Sequence, residues 1–320
     1  MLTLDELDRK ATQVFAGRVV RKDLVRQVKV GTNVPVYVLE YLLGKYCATD
    51  DPAAIEAGMR LVNSTLAESV IRPDEAMKAQ SRVKERGEMT FIDKISVRLD
   101  GIKYWADLVN FGNSFVHIPD TIVRRYDRLL EGGVWAQTKI EYVEEEEGPN
   151  RNRPFYITEM NPIQLASFRL DDYCNRRAEF TTDEWIDLIV RSMGLEPAHY
   201  SKRVKLLMLM RLVPMIQRNF NLVELGPRGT GKSFVYRDLT PYAILISGGK
   251  TTVPNLFYNM STRRVGLVGM WDVVAFDEVA GIKFDDKTAV QIMKDYMESG
   301  SFSRGREEIV AEASMVFAGN

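Results

Sequence analysis

Cysteine and histidine are nearly absent. Two of each, Cys47, Cys174, His117 and His199, occur in 320 residues, with no Cys-x-x-Cys pair and no His/Cys cluster. Zinc sites of the usual spacing are excluded, and no disulfide framework is implied. Net charge is also missing: 43 Lys and Arg stand against 44 Asp and Glu, a balance of −1. The chain as a whole is therefore not a basic nucleic-acid binder, although a local basic face remains open. Long hydrophobic runs are lacking too, since the longest, such as Leu206 to Met210, fall far short of a bilayer. The N-terminus, MLTLDELDRKATQ, has no apolar signal-peptide core. These absences predict a cytoplasmic protein with no membrane partner. No internal repeat or low-complexity segment is visible.

What is there suits a globular protein, with 45% hydrophobic and 27% charged residues. Residues 1–86 predict helices: Leu2, Leu4, Leu7, Ala11 and Phe15 recur at helical spacing. Pro35 precedes a buried helix ending near Gly44, and Pro52 and Pro73 open two more at first-turn positions. From Met89 the period changes. MTFIDKISVRLD, KYWADLV, GVWAQTKIEYVEE and PFYITEM alternate as strands do. One helix, Asp120 to Leu130 with Asp120 as N-cap, is expected between them. Helices return at Thr182 and after Pro197, the second carrying the Leu206–Met215 apolar stripe. From Asn221 strands and helices alternate, which predicts a parallel α/β sheet. The expected organisation is a helical region (1–88), a β-rich module (89–180) and an α/β core (181–320).

Gly226-Pro-Arg-Gly-Thr-Gly-Lys-Ser233 matches G-x-x-x-x-G-K-[ST] in full. Gly226, Gly229 and Gly231 let backbone N–H groups wrap phosphates with no Cβ in the way. Thr230 adds to the same cradle, Lys232 puts a cation on the β- and γ-phosphates, and Ser233 offers a hydroxyl to Mg²⁺. The helix beginning here adds its positive end. By itself the stretch could be a chance glycine-rich turn. A second element argues against that: Asp272-Val-Val-Ala-Phe276 is a buried-strand run followed by Asp277 and Glu278. Ligands of open α/β sheets sit at the carboxyl ends of strands. Asp277 is expected to hold Mg²⁺, mostly through water, and Glu278 to orient the attacking water. The plain alternative for Glu278 is a solvated acid at a strand end. A third element, Ser314 to Ala318, is another buried strand leading to Gly319 and Asn320, where a polar side chain would reach the γ-phosphate. ATP and Mg²⁺ are the cofactors this pattern calls for.

GPRGTGKS, VVAFDEVAG and MVFAGN, in that order, resemble the AAA+ superfamily over about the last third of the chain. The segments KVGTNVPVYVLEYLLGKYCAT, FIDKISVRLDGIKYWADL, NFNLVELGPRGTGKS and SRGREEIVAEASMVFAGN resemble the BrxL family. Its members are the Lon-like AAA+ components of bacterial BREX phage-exclusion systems. The resemblance implies a P-loop AAA+ core. Before it an α+β region is expected, in which the run of short alternating strands is read as a small β-barrel or sheet, an OB-like module being one form, joined to the helical part. The resemblance also implies an ATPase that assembles as a homo-oligomeric, hexamer-based ring, associates with DNA and works with other phage-defence proteins. Family members are longer, so the core is expected to be incomplete here and this chain alone to hydrolyse ATP weakly. Asn320 would be the sensor residue. No serine–lysine dyad of a Lon-like protease can be assigned.

Three clusters could meet DNA phosphates: Arg18, Arg21, Lys22, Arg26 and Lys29; Arg82, Lys84, Arg86, Lys94 and Arg98; and Arg304 with Arg306. A solvated charged face is the plain reading of the first two. Arg304 and Arg306 lie between a helix and the last strand, where helicase-like rings carry a pore hairpin. One of them could equally face a neighbouring subunit. Trp105, Trp135, Trp185, Trp271 and the methionines Met208, Met210 and Met215 are expected to pack in cores or interfaces. Two other functions stay open: a nucleotide-gated assembly scaffold, and an ATP-dependent chaperone or protease partner acting on protein.

Overall fold

The computed structural model describes residues 4–16, 18–28, 34–126, 128–144, 152–163, 169–247, 252–260, 264–278, 287–304 and 307–319. The chain divides into two compact units, Met1–Thr181 and Thr182–Asn320.

The first unit opens with five helices: α1 (Glu6–Val14), α2 (Lys22–Val25), α3 (Val36–Tyr46), α4 (Pro52–Ser69) and α5 (Ala76–Arg86). Asp5 caps α1 by a reciprocal bond with Asp8, and Asp51 caps α4 just before Pro52. Apolar stripes of α3 and α4 (Val38, Leu42, Leu43, Ile55, Val62 and Leu66) pack together and onto Ile92 of the first strand. Close approach makes Gly58 obligatory. A Cβ there would stand 2.2 Å from the Tyr46 carbonyl oxygen. Gly87, at φ 81, ends α5 in a conformation that side chains resist.

The rest of this unit is β1 (Glu88–Asp100), β2 (Lys103–Leu108), β3 (Asn113–His117), α6 (Asp120–Arg125), α7 (Arg128–Glu131), β4 (Val134–Tyr142), β5 (Phe155–Pro162) and α8 (Leu170–Arg177). The strands close a barrel in the order β1-β2-β3-β5-β4. Length lets β1 serve both neighbours: Glu88 to Ile95 pair with β4, and Ile95 to Asp100 pair with β2. The parallel contact of His117 with Tyr156 closes the circle. Ile95, Val97, Ala106, Val116, Ala136, Ile140 and Ile157 fill the interior. Asp93 pins the turn after β2. Its fully buried carboxylate accepts from the backbone N–H groups of Lys94, Asn110 and Phe111. Burial pushes this carboxyl above its ordinary value, while those bonds pull the other way.

Two expectations are corrected here. The helix predicted from Asp120 to Leu130 is two helices, because the chain leaves the helical region at Tyr126. Asp120 is not its N-cap: Pro119 is, with Asp120 inside the first turn.

The second unit contains α9 (Thr182–Ser192), α10 (Lys202–Met210), β6 (Leu222–Leu225), α11 (Lys232–Asp238), β7 (Ala243–Ser247), α12 (Val253–Leu256), β8 (Tyr258–Asn259), β9 (Arg264–Val265), β10 (Val273–Asp277), α13 (Lys287–Ser299), β11 (Ser301–Arg304), β12 (Glu307–Val310) and β13 (Ser314–Gly319). Four strands form a parallel sheet in the order β6-β13-β10-β7. Both faces of its central strands are covered, as parallel sheets require. Val274, Phe276, Met315 and Phe317 pack on Phe257, Tyr296 and Phe302. Val273, Ala275 and Val316 pack on Val235 and Tyr236. The stripe assigned to the helix after Pro197 extends past α10, and Leu206, Leu207 and Met210 are exposed on it. Among the described residues no helix is long and apolar enough to cross a membrane.

Candidate functional site

Parallel pairing sets the register of the sheet's carboxyl rim. Leu225, the residue before the glycine-rich loop, stands beside Gly319, and Asp277 stands beside Ser247. Phe276 pairs with Phe317, so the ends of β6, β13, β10 and β7 share one edge. Gly226 donates its N–H to the Gly319 carbonyl at 3.1 Å, which fixes where the loop leaves the sheet.

The loop Gly226 to Ser233 then turns into α11. Gly229 and Gly231 hold φ of 78° and 77°, a region that glycine enters freely. A Cβ on Gly226 or Gly229 would meet nothing within 4 Å, so the backbone there lies bare for an anion to approach. Lys232 is 7% exposed, and its Nζ donates to the carbonyls of Gly226 and Pro227, both at 2.7 Å. The ammonium therefore sits inside the loop's curve. The Thr230 hydroxyl donates to the Pro227 carbonyl at 3.2 Å, and Ser233 follows Lys232 in the first turn of α11.

The acidic pair lies across the same rim. Asp277 ends β10 half-buried, and its Oδ1 accepts from the Glu278 N–H at 3.1 Å. Glu278 takes φ 54, an uncommon conformation outside glycine that costs on the order of 1–3 kcal/mol. Arg228, in the loop, reaches Glu278 Oε1 at 3.5 Å. Both side chains are exposed, so this pair adds little stability. Its value is geometric: loop and acidic pair meet across one opening. Among the described residues no three His, Cys, Asp or Glu side chains cluster to hold a metal. Mg²⁺ needs only one or two protein ligands beside phosphates and waters, so Ser233 and Asp277 fit that ion.

Sequence reasoning missed Arg211. It lies one residue past α10 in an apolar run, is 7% exposed, and donates from Nε and Nη2 to Glu224 and from Nη1 to the Thr230 carbonyl at 3.0 Å. Nothing in the run LMLMRLVPM marks it, because its partners are 13 and 19 residues away. Arg228, too, had no assigned role. Asn320 and Arg306 lie outside the described residues, and Arg304 ends β11 of the β11–β12 hairpin.

The barrel carries a second feature. Trp105 and Phe115 alternate with the interior-facing Ala106 and Val116, so they face outward. Arg153 lies over both rings, 4.4 Å and 4.2 Å from their centres, and Arg98 lies 4.3 Å over Phe115. His117 and Tyr156 stack beside them at 4.0 Å. Acids share this outward register, Asp107 and Glu141 among them. Asp107 accepts from Ser114, and Glu141 stands opposite Tyr156. The N-terminal cations are differently employed: Arg18 pairs with Asp172, Arg21 with Asp23 and Lys22 with Glu40, while Lys29 lies outside the described residues. Burial pushes Lys94 below its ordinary value, and Lys84 lies over Tyr142.

Comparison with known proteins gives two family matches. Residues 155–320 match the family described as Lon-like protease BrxL-like, ATPase domain. Residues 13–142 match the BREX system Lon protease-like protein BrxL N-terminal family. A Lon-like protease BrxL from Bacillus cereus (strain H3081.97) is 53% identical over 319 residues, covering 99% of this chain and 47% of that protein. One from Escherichia coli O9:H4 (strain HS) is 52% identical over 317 residues, covering 98% of this chain and 45% of that protein. The chain thus spans less than half the length of these curated relatives.

Proposed function

The chain belongs to the BrxL family and carries its ATPase domain, and from that premise we propose that it binds and hydrolyses ATP in a homo-oligomeric, hexamer-based ring that engages DNA during phage defence. The observation that carries this reading is the shared rim, where Arg228 of the glycine-rich loop touches Glu278 beside Asp277. In this P-loop assignment the N–H groups of the loop grip the phosphates and Lys232 balances their charge. Ser233 and Asp277 hold Mg²⁺, which neutralises charge on the β- and γ-phosphates when bound. Glu278 acts as general base toward the attacking water, and Asn320 is assigned the polar contact at the γ-phosphate.

DNA engagement is assigned to two places. The barrel order β1-β2-β3-β5-β4 supports an OB-like module, and such modules bind oligonucleotides across their second and third strands. Arg98 and Arg153, laid over outward rings on that face, supply charge and flat surface. Arg304 and Arg306 keep their sequence-based assignment as cations for DNA phosphates; Arg304 ends β11, and Arg306 lies outside the described residues.

ATP turnover by the intact protein tests the chemistry. Glu278→Gln is expected to lower turnover by about 10²–10⁴ while ATP still binds. Unchanged turnover in that variant contradicts the general-base assignment.

A further inference from the structure

We propose that Arg211 is a positioning residue for the phosphate loop, holding the Thr230–Gly231 peptide so that the Gly231 N–H faces the nucleotide. The inference rests on the nucleotide reading of that loop and adds what sets its shape.

Five hydrogen bonds define the geometry. Arg211 Nε donates to both carboxylate oxygens of Glu224, at 3.1 and 2.9 Å, and Nη2 donates to Oε1 at 2.6 Å. That fork fixes the guanidinium plane, since Glu224 is on β6, in register with Ala318. The remaining arm, Nη1, then points at the Thr230 carbonyl at 3.0 Å. From the other side Tyr236 of α11, fully buried, donates its hydroxyl to the Arg211 carbonyl at 2.9 Å. One residue thus ties the sheet, the loop and the helix after the loop.

The consequence follows from peptide geometry. A trans peptide is planar, so its C=O and the next N–H point in opposite directions. With the Thr230 oxygen held on the Arg211 side, the Gly231 N–H must face away from Arg211. Gly231 at φ 77 has the freedom to let this peptide rotate. The glycines that allow a phosphate cradle also allow it to flip, and the charged bond from Arg211 resists the flip. Lysine cannot replace it, because an ammonium is one compact charge and cannot fork to Glu224 while reaching a carbonyl.

Two variants separate positioning from simple support of the fold. Arg211→Lys keeps the charge beside Glu224. Arg211→Met with Glu224→Met removes both charges at similar volume, a change that often preserves stability. Each would be melted without ligand and titrated with a fluorescent ATP analogue and Mg²⁺. The expected result is a Kd weakened about tenfold or more, equivalent to about 1.4 kcal/mol, in both variants while the ligand-free melting point stays near wild type. Should the double variant fail to fold, Arg211→Lys alone decides. Wild-type affinity in a folded variant of either kind overturns the inference. A wild-type chain that binds no ATP overturns the nucleotide reading and this inference with it.

Discussion

The two units solve the sheet-edge problem in opposite ways. The barrel closes on itself, β3 meeting β5 at His117 and Tyr156, so no strand is left at the end of a sheet. The parallel sheet ends at β6 and β7, and β6 bears Val223 and Leu225 at 62% and 69% exposure. Ile216 and the α10 residues Leu206 and Leu207 are exposed in the same unit. A closed barrel with a filled interior draws its stability from packing it already has. Both units expose apolar side chains, Ile102 and Met77 in the first as much as Leu225 in the second, so the difference lies in the glycine-rich loop, whose bare backbone gives a ligand more to contact in the sheet unit. Both units have packed cores of their own, and a ligand held by the loop would add to the second by mass action.

The largest expected effect attacks the barrel's self-sufficiency. Phe111 is fully buried and meets Phe91 and Phe155, 5.6 and 5.0 Å between ring centres. Phe111→Ala is expected to cost about 3–5 kcal/mol, read as faster amide exchange across β1–β5. A loss below 1 kcal/mol would mean the barrel does not depend on its core.

Asp93→Asn is a milder test of the same unit. It replaces one acceptor of the Lys94, Asn110 and Phe111 N–H groups and should cost about 1–3 kcal/mol near neutral pH. The pH dependence has a definite sign. The folded-state pKa of Asp93 lies above the unfolded value because burial raises it. Over that window the unfolded chain holds fewer protons, so this group's contribution to stability falls as pH rises. Chemical denaturation at several pH values should show that fall in wild type and lose this component in Asp93→Asn.

The smallest effect probes the outer face of the barrel. Arg153→Ala should leave the fold intact and lower the slope of log affinity for DNA against log salt by about one. An unchanged slope would remove Arg153 from the proposed DNA-binding face and leave it as a cover for Trp105.

The same contrast explains what could be read from residues alone. Strands β1, β2, β4 and β5 were legible because apolar and polar residues alternate along most of their length, although Ile92 and Trp105 are buried on the outer face as well. β10 and β13 were legible as continuous apolar runs, since parallel strands are covered on both faces. β3 escaped notice: it is five residues, NSFVH, with a single fully buried side chain. α8 buries no residue, so it leaves no apolar stripe to detect. The motif residues of the loop and the strand end were visible because their spacing is local. Arg211 was not, because its role exists only once β6 and the loop are folded beside it.

Amide exchange with and without ATP and Mg²⁺, in wild type and Lys232→Ala, tests the central claim most directly. The account predicts slower exchange at 229–233 and at 277–278 when wild type meets ATP, and no change in Lys232→Ala. Wild type exchanging at an unaltered rate through the loop and the acidic pair would contradict it.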